Sequence, residues 1–520
     1  MQSSVGEVFA SAPTLAKLLA GAAFVLFLNS LWNIWKLRHI PTVGGPAIPI
    51  LCYIGTFRYL QDPQKILQEG YEKYKAKPGM FKIAAPDRWL VVVGHPNLID
   101  ELQKHSDEQV SFMDAATEFV GTRYALPGTI ADDPWHIPPL KQHLTHAIGS
   151  FFGDMLEELR VSIEERIPSN EKDDEWVAIP ALDTFFWVFT RVIDRIIVGL
   201  PIGRDTEFIK LMVEFTMSIG IARFFIGLVP PMLKPAMAKL AARGVHKATA
   251  EAEKMLAPVI ADRVRHLDEF GEKWADKPND LLQINIEEAR AQGRPLDEIV
   301  IRTIVSIFVG VSTSAASFVH VLYHLAADPE LQAALRTEVE GAIARDGWTK
   351  AALVGMHRVD SVLRESQRVN GINSVSVMRT ALQDITLTSA GAPVCLPAGT
   401  LCVAPERALH ADKEHYPDPD AFVPFRFAEL RATADARGGA QHQFVSTSTR
   451  YVPFGHGKHA CPGRFFAGNE MKAAVAHLVS NYDVRLPDGA STRPPNELFG
   501  LAIVPNRSAK VMSRRRQPVV

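Results

Sequence analysis

Apolar residues recur at helical spacing from about Asp133 to Gly355, in stretches such as LKQHLTHAIGSFFGDMLEELRVSIEERI and DTFFWVFTRVIDRIIVGL. This periodicity predicts a mostly helical body. Two short β-like runs, GMFKIAA and RWLVVVG, are separated by Pro86-Asp87 and predict a small sheet. A second β-rich patch, DITLTSAGAPVCLPAGTLCVAP, begins at Asp384 and is punctuated by glycine and proline turns. No internal repeat or low-complexity linker interrupts the body. The pattern predicts one large, mainly α domain with a small β-sheet region, over residues 51–520.

The stretch from Val300 to Ala327 is apolar almost all round, so it should be a buried central helix. Its length would also allow a membrane span, but interspersed Ser, Thr and His residues favour the core. At its middle Gly310 is followed by Ser312, Thr313 and Ser314. Small residues there let helices pack closely. The alternative is a local widening beside a ligand, with hydroxyls able to relay protons.

At the N-terminus, Leu18 to Trp35 is largely apolar and uncharged, and Lys36 and Arg38 follow at once. About 18 such residues suffice to span a bilayer, and Trp32 and Trp35 suit its interface. Residues 1–37 are therefore expected to be a membrane anchor, with the span at about 18–35 and the rest of the chain on the cytosolic side. A cleaved signal peptide would carry its basic residues before the apolar run, not after it. RHIPTVGGPAIPI, through residues 38–50, breaks any helix and reads as a stiff hinge.

The formal net charge of −2 gives no reason to expect nucleic acid as a partner. The four cysteines, Cys52, Cys395, Cys402 and Cys461, form no close-spaced pair, which argues against a zinc site or a disulfide framework. Cys461 stands in FGHGKHACPGRFFAG, between a glycine-turned loop and a helix start marked by Pro462. Lys458, His459 and Arg464 flank it, and basic groups and a helix N-terminus stabilise a thiolate. The stretch reads as a loop aiming one sulfur at a bulky ligand.

Two further features accompany that loop. LRESQRVN places Glu365 and Arg368 on one helix face, among apolar neighbours that suggest burial. Arg426 follows in FVPFRFAEL, where it could share Glu365 and lock a helix to the segment leading into the cysteine loop.

Together these elements resemble the cytochrome P-450 superfamily of haem-thiolate monooxygenases. Phe454, Gly457, Cys461 and Gly463 fit its cysteine-loop pattern, ESQR its Glu-x-x-Arg, Arg426 its second arginine, and GVSTS its oxygen-activating helix. The resemblance covers nearly the whole chain, and the IPTVGGP hinge and EGYEKY are similar to fungal, basidiomycete-type members.

The resemblance implies the P-450 fold, with Cys461 the axial ligand of a haem b iron. It implies that His459, Arg379 and Lys141 face the haem propionates, and that Thr313, aided by Ser312 and Ser314, delivers protons to oxygen. Relatives carry an acid before that threonine; this chain has Ser312. Many also carry Trp-x-x-x-Arg near Lys141; here Trp135 is followed by Pro139 at the arginine position. Glu365, Arg368 and Arg426 are implied to be structural.

The implied setting is the endoplasmic reticulum membrane, single-pass, with electrons from NADPH through a cytochrome reductase and cytochrome b5 as a further candidate partner. SIGIARFFIGLVPPMLKPAMAKLA (Ser218 to Ala241), INSVSV and LFGLAIVP line the implied pocket with few charges. A lipophilic polycyclic substrate fits, a terpenoid of fungal secondary metabolism first, with a steroid or other lipophile as the alternative. A haem-thiolate isomerase or dehydratase would use the same Cys461 without reductase electrons, and a haem protein that binds a steroid without turnover would have no need of Thr313.

Overall fold

The computed structural model describes residues 21, 24, 27, 31, 32, 34–127, 129–146, 148–168, 175–388 and 391–516. The chain divides into two compact units, residues 1–115 with 377–405, and residues 116–376 with 406–520. Helices dominate, as the periodicity predicts, with small sheets beside them.

In the first unit a six-stranded sheet runs, from edge to edge, Thr42–Val43, Met80–Ala84, Trp89–Val93, Leu401–Ala404, Ser376–Ala381 and Val110–Ser111. The two runs flanking Pro86-Asp87 pair antiparallel, with Phe81 opposite Val92 and Ile83 opposite Leu90. Both strands are buried on both faces, which explains their unbroken apolar character. Lys82 is the exception: its buried Nζ donates to the carbonyls of Leu37 at 2.5 Å and Ile40 at 2.6 Å. The chain just after the expected anchor is thereby tied to the sheet. The second β-rich patch supplies the pair Ile385–Leu387 and Val394–Leu396, besides the Leu401 strand.

The segment expected to span the membrane lies largely outside the described residues. Its described positions are helical, and Phe24, Leu31, Trp32 and Trp35 are exposed.

The second unit is a helical body, whose main helices are α1 (Ile137–His146), α2 (Ile148–Arg166), α3 (Ala181–Ile197), α4 (Thr206–Gly227), α5 (Lys234–Ala241), α6 (Glu298–Ala327), α7 (His357–Asn370) and α8 (Arg464–Asn481). Asp205 caps α4, accepting from the amides of Glu207 and Phe208 at 2.8 and 3.0 Å. A break at Pro230-Pro231 separates α4 from α5, where the sequence places it. Among the described residues α6 alone is long and apolar enough to cross a membrane, but most of it is buried in the core. Phe318 on α6 packs between Phe185 and Phe189 of α3, with ring centroids 4.5 and 5.4 Å away. Gly310 lets α3 come close, since a Cβ there would meet Ile193 Cδ1 at 3.1 Å.

Candidate active site

α6 is buried on nearly every side except along one stripe. Val309 is 53 % exposed and Thr313 is also exposed, with Val305, Phe308 and Ser312 half-buried beside them. Positions four apart share a helix face, so the mid-point of a core helix borders open space. The Thr313 hydroxyl donates to the Val309 carbonyl at 3.0 Å. Ser314 points the other way: its hydroxyl donates at 2.9 Å to Glu470 Oε2 on α8.

Glu470 is fully buried, and its other carboxyl oxygen has no hydrogen-bond partner among the described residues. Burial raises its pKa to about 8, against the lowering effect of the Ser314 hydroxyl, so at neutral pH it is mostly a neutral acid. The sequence pattern does not single out Glu470. Its partner is 156 positions away, and a lone glutamate in an apolar helix has no local signature.

The start of α8 is the Cys461 loop. Gly455 and Gly457 take left-handed φ values of 68° and 74°, which side-chain-bearing residues rarely adopt. The loop closes with the Cys461 amide donating to the Phe454 carbonyl at 2.7 Å, while Phe454 packs edge-on against Phe444. A Cβ at Gly463 would stand 3.9 Å from Cys461 Sγ and 3.7 Å from Leu144 of α1, so glycine leaves the flank of the sulfur bare. Burial raises the Cys461 pKa, and the amides of Gly463 and Arg464 with the Arg464 guanidinium oppose it. Cys461 itself is half-buried, and so is His459, while Lys458 is exposed. α8 therefore carries the thiol at its start and Glu470, bonded to the hydroxyl run of α6, along its length.

Glu365 and Arg368 of α7 are buried and joined by two bonds of 2.7 and 2.8 Å. Arg426 Nε donates to the same carboxylate at 3.1 Å, as does the Val423 amide at 3.0 Å. Arg368 also donates to the carbonyls of His410, Pro419 and Ala421. The three residues thus pin α7 to the chain segment that precedes the cysteine loop.

The remaining candidates are dispersed. Lys141 is exposed on α1. Trp135 is buried and donates its indole N–H at 3.2 Å to Glu298, with the Arg302 guanidinium 4.8 Å over its ring. It is thereby committed to the start of α6. In the first unit, buried Arg379 lies 5.5 Å over the Phe112 ring and donates to the Met378 carbonyl, while its Nε and Nη2 find no partner among the described residues. Burial lowers its pKa to about 10. INSVSV and LFGLAIVP, far apart in sequence, meet: the Ser374 amide donates to the Leu501 carbonyl at 2.7 Å, and the Ile503 amide to that of Ile372 at 2.9 Å.

Comparison with known proteins agrees with this geometry. The family model described as Cytochrome P450 matches residues 43–511. A chain named Cytochrome P450 monooxygenase 151, from Postia placenta, is 41 % identical over 94 % of this chain and 95 % of its own length. Cytochrome P450 monooxygenase 103 of the same fungus is 40 % identical over 98 % and 99 %. A P450 monooxygenase of Ganoderma lucidum is 33 % identical over 93 % of each chain. In fold, the crystal structure of the cytochrome P450DA heme domain superposes with a TM-score of 0.69 at 19 % identity, covering 92 % of this chain and 98 % of that one. The cysteine loop, the buried glutamate–arginine cluster and the open stripe on α6 thus belong to a chain of the cytochrome P450 family, and the relatives just named are fungal monooxygenases.

Proposed function

We propose that the protein hydroxylates a lipophilic polycyclic compound, a terpenoid in the first instance, with Cys461 as the haem ligand. The observation that carries the reading is one connected piece of structure. α8 bears a glycine-flanked thiol at its start, and Glu470 on its buried face is bonded to Ser314, the neighbour of Thr313.

The residues present fit a haem. Coordination of a metal needs the thiolate; burial raises the Cys461 pKa, and the Gly463 and Arg464 amides with the Arg464 guanidinium work against that rise. Gly463 leaves room beside the sulfur for a flat macrocycle. The unpartnered donors of Arg379 suit a carboxylate such as a propionate, and His459 is a second candidate for that role. Haem, when bound, supplies the activation of dioxygen, and thiolate ligation favours O–O cleavage.

The protein's own part is to place substrate and protons. Thr313, on the open stripe, is positioned to hand a proton into the pocket, and Ser312 is half-buried beside it. A second proton-holding group lies on the other side of α6, where Glu470 is bonded to Ser314. A carboxyl group with a pKa near 8 is matched to proton transfer at neutral pH.

The substrate class rests on texture. Met217, Ile221, Phe224, Phe225, Met232 and Leu233, on α4 and the turn after it, are exposed and apolar. Such a patch suits a surface resting in a bilayer, from which a lipophile would enter. We assign the N-terminal segment as an anchor in the endoplasmic reticulum membrane, the body as cytosolic, and an NADPH-dependent reductase as electron donor. The test is to co-express the chain with a cytochrome reductase and feed terpenoids. Products one oxygen heavier that require NADPH support the reading. Products isomeric with the substrate, formed without NADPH, would replace it with an isomerase.

A further inference from the structure

A small cavity of about 10 Å³ lies where α6, α7 and α8 meet, lined by His320, Ser366 and Met471 of the three helices, with Gly371 and Phe444 beside them. Two polar atoms of these residues have no hydrogen-bond partner among the described residues. They are Nε2 of His320, a residue 2 % exposed, and Oγ of Ser366, which is 1 % exposed. A third such atom, Oε1 of the buried Glu406, stands 3.1 Å from where a Cβ on Gly371 would lie. Buried polar atoms are nearly always satisfied by protein or by ordered water, since leaving one unpaired is costly.

The form of His320 that belongs to this cavity is set from its other side. Arg493 Nη2 lies 3.0 Å from His320 Nδ1. An arginine only donates, so Nδ1 accepts and the ring proton sits on Nε2. Burial, with the Arg493 charge adding to it, lowers the His320 pKa to about 3, so the ring is neutral. Burial also pushes Glu406 well above the usual carboxylate range, which leaves it a neutral acid. The cavity is thus served by an N–H from α6 and a hydroxyl from α7, with a carboxyl group behind Gly371.

The occupant must accept from a ring N–H and also bond a hydroxyl, in very little space. A metal cation would face the hydrogen of His320 Nε2 and is excluded on that ground. Water both accepts and donates, and about 10–15 Å³ of such space is what one water needs, with two to four polar partners. α6 and α7 already share one direct polar bond nearby, from Asn370 to His324 Nε2 at 2.7 Å.

We propose that this cavity is a binding site for one water, which accepts from His320 Nε2, bonds Ser366 Oγ and so fastens α6 to α7. Ser366 follows Glu365 directly, so the water joins the central helix to the part of α7 that Arg368 and Arg426 pin in place. The bridge does not depend on haem or on the substrate class, and it stands or falls apart from them.

The test uses the full-length holoprotein. A crystal structure that resolves single waters should show one peak within about 3.2 Å of both His320 Nε2 and Ser366 Oγ; no density there overturns the site. Ser366→Ala separates the readings by sign. If a water bridges the helices, the variant loses a hydrogen bond and should melt lower by about 1 °C. If the cavity is dry, alanine merely removes an unpaired buried hydroxyl, and the variant melts at the same temperature or higher, which overturns the proposal. His320→Leu removes the N–H that holds the water, so adding Ser366→Ala in that background should lower melting by much less than in the wild type. An equal decrease in both backgrounds would show that the two side chains do not act through a shared water, and would overturn the bridge. The crystal result decides the matter alone if the double variant does not fold.

Discussion

Glu470 has a consequence that can be read without any ligand. Its folded pKa is about 8 against an ordinary 4.5, so the folded state holds the proton more tightly than the unfolded chain. The stability it contributes is complete below about pH 4.5 and is lost as pH rises through 8. Glu470→Gln keeps the shape and the Ser314 bond and cannot ionise. Its melting temperature relative to wild type should rise between pH 5 and pH 8.5, since each tenfold in proton affinity is worth about 1.4 kcal/mol. A difference that does not vary with pH would show that Glu470 is ionised in the fold. Thr313→Ala should keep the ligand-induced spectral shift but release more hydrogen peroxide and less product per NADPH. Positioned proton transfer is worth about 10²–10⁴-fold, so unchanged product per NADPH would reduce Thr313 to a packing residue. The cysteine loop was legible because its glycines, proline and sulfur lie within one short run. Glu470, Arg493 and His320 were not, because each acquires its meaning from a partner more than 150 positions away.

At the scale of elements, α7 is held to the segment before the cysteine loop by Glu365, Arg368 and Arg426. Glu365→Ala would strand the buried Arg368 guanidinium and the half-buried one of Arg426, and should cost about 3–5 kcal/mol. The expected result is failure to accumulate as soluble holoprotein; normal haem content with unchanged melting would mean the cluster bears no load. Local patterns foretold the central helix, the Pro230-Pro231 break and the paired strands around Pro86-Asp87. They did not foretell the six-stranded sheet, because Leu90 lies beside Leu401 in parallel register. Such pairing is decided by packing between distant segments rather than by local periodicity. Trp135 shows the same limit: its bond to Glu298 and the Arg302 guanidinium over its ring join segments more than 160 positions apart, which no local pattern reveals.

For the whole molecule, the proposed division between anchor and body can be tested by truncation. Leu37 and Ile40 are buried, and their carbonyls hold the buried Lys82 ammonium. Removing residues 1–30 should free the protein from membranes and leave its melting temperature unchanged. Removing residues 1–40 should lower it, because Lys82 would keep its burial without its acceptors. Equal melting of the two truncations would show that the Lys82 contacts do not stabilise the sheet. Family membership follows from the sequence match and the fold, whereas the role of each side chain rests on chemistry that spectroscopy reads directly. The most direct measurement is the absorption spectrum of the reduced, carbon-monoxide-treated protein, for wild type and Cys461→Ala. Ligation by Cys461 predicts a thiolate-type Soret band in the wild type and its loss in the variant; a thiolate-type band that survives Cys461→Ala would contradict it.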